Sequence, residues 1–179
     1  MNHIIPLSVS SLFIATALLL SANLSAVADE KTTPTITISE DGLAIGEKTF
    51  LLGPSVSDLT TAWGTPSRVE KLANDVRIWD DLGVRSYSEN GRTTVDSLSF
   101  NFKKQDMKLA AKSPFTGKLI LSKDTISAAT TTEDLQKLGF EQHEILKKLY
   151  QYKLPTASFL AETDPSDGSI VTISVEFGL

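Results

Sequence analysis

Two stretches of the chain share one pattern of apolar alternation, and this repetition limits the possible folds more than any other feature. Residues 94–102 read TVDSLSFNF, and residues 169–177, about 75 positions later, read SIVTISVEF. In both stretches apolar side chains occupy every second position, at Leu98, Phe100 and Phe102 and at Ile173, Val175 and Phe177. Alternate residues of a strand point to one face. The pattern therefore predicts two related strands, each with a buried face, and an internal duplication; chance similarity between amphipathic strands is the alternative.

A short capped helix is predicted ahead of each of these strands, in residues 55–63 and 130–138. Each segment opens with a hydroxyl residue and a carboxylate three positions later, which is the pattern of a capping box. A glycine, the residue that best accepts the left-handed conformation after a helix, follows each segment. The matching sets are Ser55, Asp58 and Gly64, then Thr130, Glu133 and Gly139.

The predicted fold class is therefore α+β, with two tandem copies of one unit. In each unit a short helix precedes an antiparallel meander, and the helices cover one face of the sheet. The first repeat is residues 29–103, residues 104–117 form a polar linker, and the second repeat is residues 118–179. The polar residues of the two strands are expected on the outer face: Ser97, Ser99 and Asn101, with Thr172, Ser174 and Glu176. A broad polar surface of this kind suits a macromolecule better than a metabolite.

The N-terminal segment predicts export. Residues 1–28 contain no Lys, Arg, Asp or Glu, carry the apolar run 12–20, and end in Ala26-Val27-Ala28, an A-x-A cleavage site. The apolar run is about half of the roughly 20 residues that a membrane-spanning helix needs, so a retained anchor is the less favoured alternative. We predict a cleaved signal peptide, a periplasmic or secreted protein, and no stable membrane anchor after cleavage.

Composition and motifs argue against several classes of function. The net charge of −5 disfavours nucleic acid as a partner, and the chain has no Cys. Asp80 and Asp81 form a carboxylate pair, but neighbours on a strand point to opposite faces. His143 is the single histidine after residue 28, so neither a zinc site nor a Ser-His triad is indicated. The sequence predicts no enzyme activity, no metal and no cofactor.

Aromatic and arginine residues in the extended segments are candidates for binding a partner protein. Such residues often anchor interfaces, because they bury a large area while keeping a polar end. By alternation Arg77 shares a face with Trp79, and Arg85 shares a face with Tyr87. The alternative is that these rings complete the core. The predicted partner-binding residues are Arg77, Trp79, Asp80, Asp81, Arg85, Tyr87, Tyr150 and Tyr152.

The segment from Gly53 to Leu59 (GPSVSDL), followed by Gly64-Thr65-Pro66, resembles the tandem units of the beta-lactamase inhibitor protein fold and of the related small outer-membrane assembly lipoprotein fold. The chain is also similar to exported bacterial immunity proteins. It departs from both folds in lacking disulfides and a lipidated cysteine. The resemblance implies a protein-binding role in the envelope. We expect a periplasmic inhibitor or immunity protein that occludes a partner such as a toxin or an envelope enzyme. The alternative is an envelope assembly or housekeeping module that binds a peptide, a wall fragment or a lipid-linked component.

Overall fold

A computed structural model describes residues 34–51 and 53–178. The predicted signal peptide and its cleavage site lie outside the described residues. In chain order the elements are β1 (Thr35–Ser39), β2 (Gly42–Ile45), β3 (Lys48–Phe50), α1 (Val56–Trp63), β4 (Arg68–Lys71), β5 (Asn74–Trp79), β6 (Val84–Glu89), β7 (Ser97–Asn101), β8 (Lys118–Leu121), β9 (Asp124–Ile126), α2 (Thr132–Lys137), β10 (Glu141–Gln142), β11 (Leu149–Lys153), β12 (Ala157–Thr163) and β13 (Ile170–Phe177). No helix in this described part of the chain is long and apolar enough to span a bilayer.

A smaller sheet is built from the strands that precede the two helices. Its strand order is β3-β2-β1-β8-β9. The central strands β1 and β8 are parallel, with Ile36 opposite Leu119 and Ile38 opposite Leu121. All four of these side chains are buried. The parallel pair therefore joins the beginning of the first predicted repeat to the beginning of the second.

A larger antiparallel sheet contains the strands that follow the helices, in the order β10-β11-β12-β13-β7-β6-β5-β4. At its centre β7 pairs with β13, with Leu98 opposite Val175 and Phe100 opposite Ile173. These four side chains have no measurable exposure. The alternation read from the sequence therefore assigned the buried face of both strands correctly.

The buried side chains of both sheets and both helices form one apolar cluster. Each helix contributes a fully buried leucine, Leu59 from α1 and Leu135 from α2. Burial of such side chains stabilises a fold by about 2 kcal/mol each. The helices are short, 8 and 6 residues, so most of the core is contributed by strands.

The helix caps match the sequence prediction at the first helix and differ by one residue at the second. The Ser55 side chain accepts a hydrogen bond from the Asp58 N–H at 3.1 Å, and the Asp58 carboxylate accepts from the Ser55 N–H at 3.0 Å. At α2 the capping box is formed by Thr131 and Asp134. Thr130, the predicted cap, is buried, and its hydroxyl accepts a hydrogen bond from the Ser127 N–H.

The predicted architecture of two tandem α+β units is wrong. Within the described residues the protein is mostly β, with two sheets and two short helices. Each sheet takes strands from both predicted repeats, so neither repeat forms a unit with its own helix-covered meander. The physical reason is the shortness of the helices, which leaves an apolar surface that the second sheet helps to bury.

Candidate functional site

The outer face of the large sheet carries a row of side chains that the sheet register brings together. Residues directly opposite each other in antiparallel strands point to the same face. Leu160 lies opposite Ser174, Ser174 opposite Ser99, and Ser99 opposite Arg85. The row therefore runs across four neighbouring strands, β12, β13, β7 and β6.

A groove of about 470 Å³ lies along this face, and we call it the outer-face groove. Its lining combines hydroxyl, charged and apolar side chains, which can meet a ligand of mixed polarity. The lining residues are Asn74, Arg85, Tyr87, Asp96, Ser97, Ser99, Leu160, Ser174, Glu176 and Phe177. The groove is open, and it lies on the polar face that the sequence predicted.

The guanidinium of Arg85 in this groove has some N–H groups with hydrogen-bond acceptors and some without. Its Nη1 donates to the carbonyl oxygen of Leu109 at 3.1 Å, and its guanidinium lies over the Tyr87 ring, 5.6 Å from the centroid. Its Nε is shielded from solvent and has no hydrogen-bond partner among the described residues. A buried donor without an acceptor costs free energy. The guanidinium is therefore held in place and retains hydrogen-bonding capacity.

The hydroxyls of Ser99 and Ser174 lie beside Arg85 in the same row. Their oxygen atoms are 2.7 Å apart, and either can be the donor. One hydrogen bond uses one of the two hydroxyl protons, so the other proton can be donated to a ligand. Together with Arg85, the pair forms a site that favours hydrogen-bond acceptors.

Residues 104–112, which we call the crossing segment, lie over the outer face next to the groove. At one end the Gln105 side chain donates to the Thr172 hydroxyl on β13. Farther along, Ala111 packs on the outward side chains of Val76 and Ile78 of β5. The segment that the sequence identified as part of a polar linker is therefore a cover for one part of the sheet.

A buried ion pair ties the crossing segment to the sheet. Asp80 accepts hydrogen bonds from Nε and Nη2 of Arg68, both at 3.1 Å, and from the N–H of Lys112 at 3.0 Å. Arg68 also donates to the carbonyl oxygens of Lys108 and Ala110. Burial by itself would raise the pKa of Asp80, but the hydrogen bonds from Arg68 and Lys112 outweigh it and lower the pKa below its ordinary value.

Of the predicted partner-binding residues, Arg85 and Tyr87 line the groove, whereas Arg77 and Trp79 lie on the other face of the sheet. Arg77 bonds to Ser88 at 2.6 Å and to Asp75 at 3.2 Å. Trp79 is 2% exposed and donates to the Gly64 carbonyl. The two predicted Arg-aromatic pairs are therefore not brought together.

The other predicted residues lie apart from the groove. Asp80 is 5% exposed and bonded as described, and Asp81 is exposed in the turn between β5 and β6. Tyr150 is buried, and its hydroxyl accepts a hydrogen bond from Gln142, while the Tyr152 ring packs on Phe140. For these two tyrosines the packing agrees with the core alternative.

The groove also contains residues that the sequence did not identify as binding residues. Ser97, Ser99, Ser174 and Glu176 were predicted to face outward, and that outward position was the available signal. Leu160 and Phe177 gave no such signal, because both belong to strands with ordinary apolar alternation.

Metal ligation finds no support in the described residues, 34–51 and 53–178. No group of three or more His, Cys, Asp and Glu side chains in them could hold a metal ion. His143 lies in the loop between β10 and β11, where its Nδ1 accepts hydrogen bonds from the N–H groups of Ile145 and Leu146.

One protein-family model matches this chain. A family model described as "Domain of unknown function (DUF7738)" matches residues 35–136, a range that begins at β1 and ends within α2. The chain belongs to this family. No curated protein matches the chain.

Two solved structures show partial similarity. The first is an extracellular protein containing a SCP domain from Bacillus anthracis str. Ames, with a TM-score of 0.49, 11% identity, and coverage of 71% of this chain and 44% of that chain. The second is a cysteine-rich secretory protein from Staphylococcus aureus subsp. aureus Mu50, with a TM-score of 0.45, 9% identity, and coverage of 71% and 43%. This chain therefore spans less than half the length of either structure's chain.

The expected resemblance to the beta-lactamase inhibitor and small assembly lipoprotein folds is wrong. The family that matches is a different domain family, and both sheets take strands from both predicted repeats. The motif behind the expectation, a capped helix that begins near Gly53-Pro54 and ends at Gly64, is real but local. It specifies how one helix begins and ends, and many folds contain such a helix.

Proposed function

We propose that this protein is an exported binding protein that holds a partner protein in the outer-face groove, as an inhibitor or immunity protein that occludes the partner. The observation that carries the proposal is the composition of the groove. Arg85, Tyr87 and the serine pair lie on the face of the large sheet opposite the main core, with hydrogen-bonding capacity unused. Arg and Tyr are residues that often anchor protein interfaces.

The pattern of residues 1–28 supports export, because a small-residue cleavage site follows its apolar run. The arrangement of ionisable groups supports binding over catalysis. The Ser99 and Ser174 hydroxyls bond to each other, and His143 follows β10, the edge strand at the opposite end of the large sheet from β4. A nucleophilic serine needs an adjacent general base.

Site-specific photocrosslinking tests this function. A photoreactive residue at position 97 places the probe in the groove, and one at the exposed position 123 places it on the smaller sheet as a matched control. We expect one envelope protein to be crosslinked from position 97 and not from position 123. Equal crosslinking from both positions would contradict a role for this face, and retention of wall fragments instead of a protein would favour the assembly-module alternative.

Paired substitutions test which residues hold the partner. Arg85→Ala with Tyr87→Ala should weaken retention of the crosslinked protein about tenfold or more, as expected for the loss of an interface anchor. Arg92→Ala is the control, because this side chain is 58% exposed and does not line the groove. Circular dichroism and thermal unfolding establish that each variant is folded.

A further inference from the structure

We infer that the anchoring contact in the outer-face groove is a carboxylate, namely an aspartate or glutamate side chain of the partner protein. This inference rests on the proposed function and names the chemistry of the contact. The carboxylate would accept hydrogen bonds from the Arg85 guanidinium and from the Ser99–Ser174 hydroxyl pair.

Arg85 has N–H donors that no acceptor fills. A guanidinium has five N–H donors in one plane and no acceptor. The Leu109 carbonyl takes one of these donors, and Arg85 lines the groove, so the remaining N–H groups of its Nη atoms are the ones that a ligand can reach. A carboxylate can accept two parallel hydrogen bonds from a guanidinium, and charged hydrogen bonds of this kind are stronger than neutral ones. Among protein side chains, a carboxylate therefore matches this donor set best.

The guanidinium of Arg85 is held in one orientation. The Leu109 carbonyl holds Nη1, and the Tyr87 ring lies 5.6 Å from the guanidinium carbon. Both contacts fix the plane of the group before a partner arrives. Preorganisation of this kind lowers the entropy lost when a ligand binds.

The hydroxyl pair lies in the same row as Arg85. Ser99 lies directly opposite Arg85 in the sheet, and Ser174 directly opposite Ser99. The pair keeps one proton that it can donate, so the three side chains present donors along one row. A ligand amide would place its own N–H donors against these donors, whereas a carboxylate has none.

The charges around the groove differ from one end to the other. The crossing segment, which bonds to Arg85 through Leu109, carries Lys104, Lys108 and Lys112, but Lys108 pairs with Glu70 and Lys112 with Asp80. At the other end of the groove Glu176 lies opposite Ser97, in the row of side chains next to the row that contains Arg85. Of the charged lining residues, Arg85 is positive, whereas Asp96 and Glu176 are negative. An acidic side chain of a partner is therefore favoured at the Arg85 end and disfavoured beside Asp96 and Glu176.

Nuclear magnetic resonance of the ¹⁵N-labelled arginine side chains tests the inference on the whole protein. The probes are N-acetyl-glutamate methylamide and its neutral isostere N-acetyl-glutamine methylamide. We expect a saturable shift of the Arg85 Nε–H signal, assigned by its loss in Arg85→Lys, with affinity about tenfold lower for the glutamine probe. The Arg92 signal is the internal control. Ser99→Ala should weaken binding of the glutamate probe severalfold and reduce the preference for glutamate.

Three results would overturn the inference: equal affinity for the two probes, an equal shift of Arg92, or an absent Arg85 response. A larger Arg85 shift with an N-acetylglucosamine oligosaccharide would also overturn it, because the occupant would then be a glycan.

The binding function and the carboxylate contact can fail independently of each other. If position 97 still crosslinks a protein while Arg85 ignores both probes, the carboxylate contact fails and the binding function stands. If Arg85 prefers the glutamate probe but no protein is crosslinked, the carboxylate site stands and the proposed function fails.

Discussion

The outer face of the large sheet has a covered part and an open part, and the two differ in composition. Under the crossing segment, β5 directs Val76 and Ile78 outward, where they pack with Ala111. On β7 and β13 the outward residues include Ser99 and Ser174, which line the groove. The apolar side chains of β5 are thus covered by chain, whereas the two serines border the open groove.

This difference shows how one continuous sheet can serve both stability and binding. Covering the apolar part requires the crossing segment to be held, and Arg68 and Asp80 hold it through a buried ion pair and bonds to its backbone. The open part needs no cover, because the Ser99 and Ser174 hydroxyls hydrogen-bond to each other. The covered part also forms one side of the site, since Leu109 of the crossing segment orients Arg85.

The largest expected difference is between truncations of one apolar side chain in the covered part and one in the open part. Ile78 has 0% exposure in the covered part, and Leu160 has 37% in the open part. Ile78→Ala should lower the free energy of unfolding by about 3 kcal/mol, because it leaves a cavity under the crossing segment. Leu160→Ala should lower it by less than about 1 kcal/mol. Urea denaturation measures both, and equal losses would show that the two parts are packed alike in solution.

A smaller effect is expected from the ion pair that holds the crossing segment. Asp80→Asn should lower the free energy of unfolding by about 2 kcal/mol at neutral pH, because Arg68 loses its charged partner in a buried place. The hydrogen bonds from Arg68 and Lys112 outweigh the burial that opposes them, so the folded state has a lowered Asp80 pKa. This contribution is therefore complete above the ordinary pKa of an aspartate and is lost as the pH falls through the lowered pKa.

The pH dependence of stability distinguishes the loss of this ion pair from a nonspecific destabilisation of the protein at low pH. The difference in stability between the wild type and Asp80→Asn should shrink as the pH is lowered. Asp106→Asn is the matched control, since Asp106 lies in the same segment and is exposed. It should change stability by less than about 0.5 kcal/mol. A difference between the wild type and Asp80→Asn that does not change with pH would exclude the ion pair as its source.

Local pattern was sufficient to predict the faces of individual strands and the capping of the first helix. The alternation at Leu98 and Phe100 requires only that a strand has one buried side, and the cap of α1 depends on Ser55 and Asp58 alone. The layer that covers a face depends on residues far away in the chain. The parallel pairing of β1 with β8, which builds the smaller sheet, leaves no local signature.

The candidate site shows the same limit. Alternation correctly paired Arg85 with Tyr87, and Arg77 with Trp79, but the hairpin register decides which pair faces the groove. Because Trp79 lies opposite Val84 in that hairpin, Arg77 and Arg85 point to opposite faces. The crossing segment was read as a linker because its side chains are mostly polar. Its fixed position depends on backbone groups, such as the Leu109 and Ala110 carbonyls, which composition does not reveal.

The smallest effect concerns the open part, where the Ser99–Ser174 bond is the test. Ser99→Ala and Ser174→Ala should each lower the free energy of unfolding by about 1 kcal/mol or less, because each leaves one hydroxyl without its partner. The double variant should cost less than the sum of the two single variants, by about 0.5 kcal/mol or more, as for residues in contact.

Ser97→Ala is the control for this cycle. Ser97 lines the same groove on the same strand as Ser99 but makes no side-chain bond to Ser174. Its combination with Ser174→Ala should be additive within about 0.5 kcal/mol. If the Ser99 and Ser174 substitutions were also additive, the two hydroxyls would not be bonded to each other in solution. The open part would then present two independent hydroxyls instead of a paired donor, and the row beside Arg85 would lose its preference for a carboxylate.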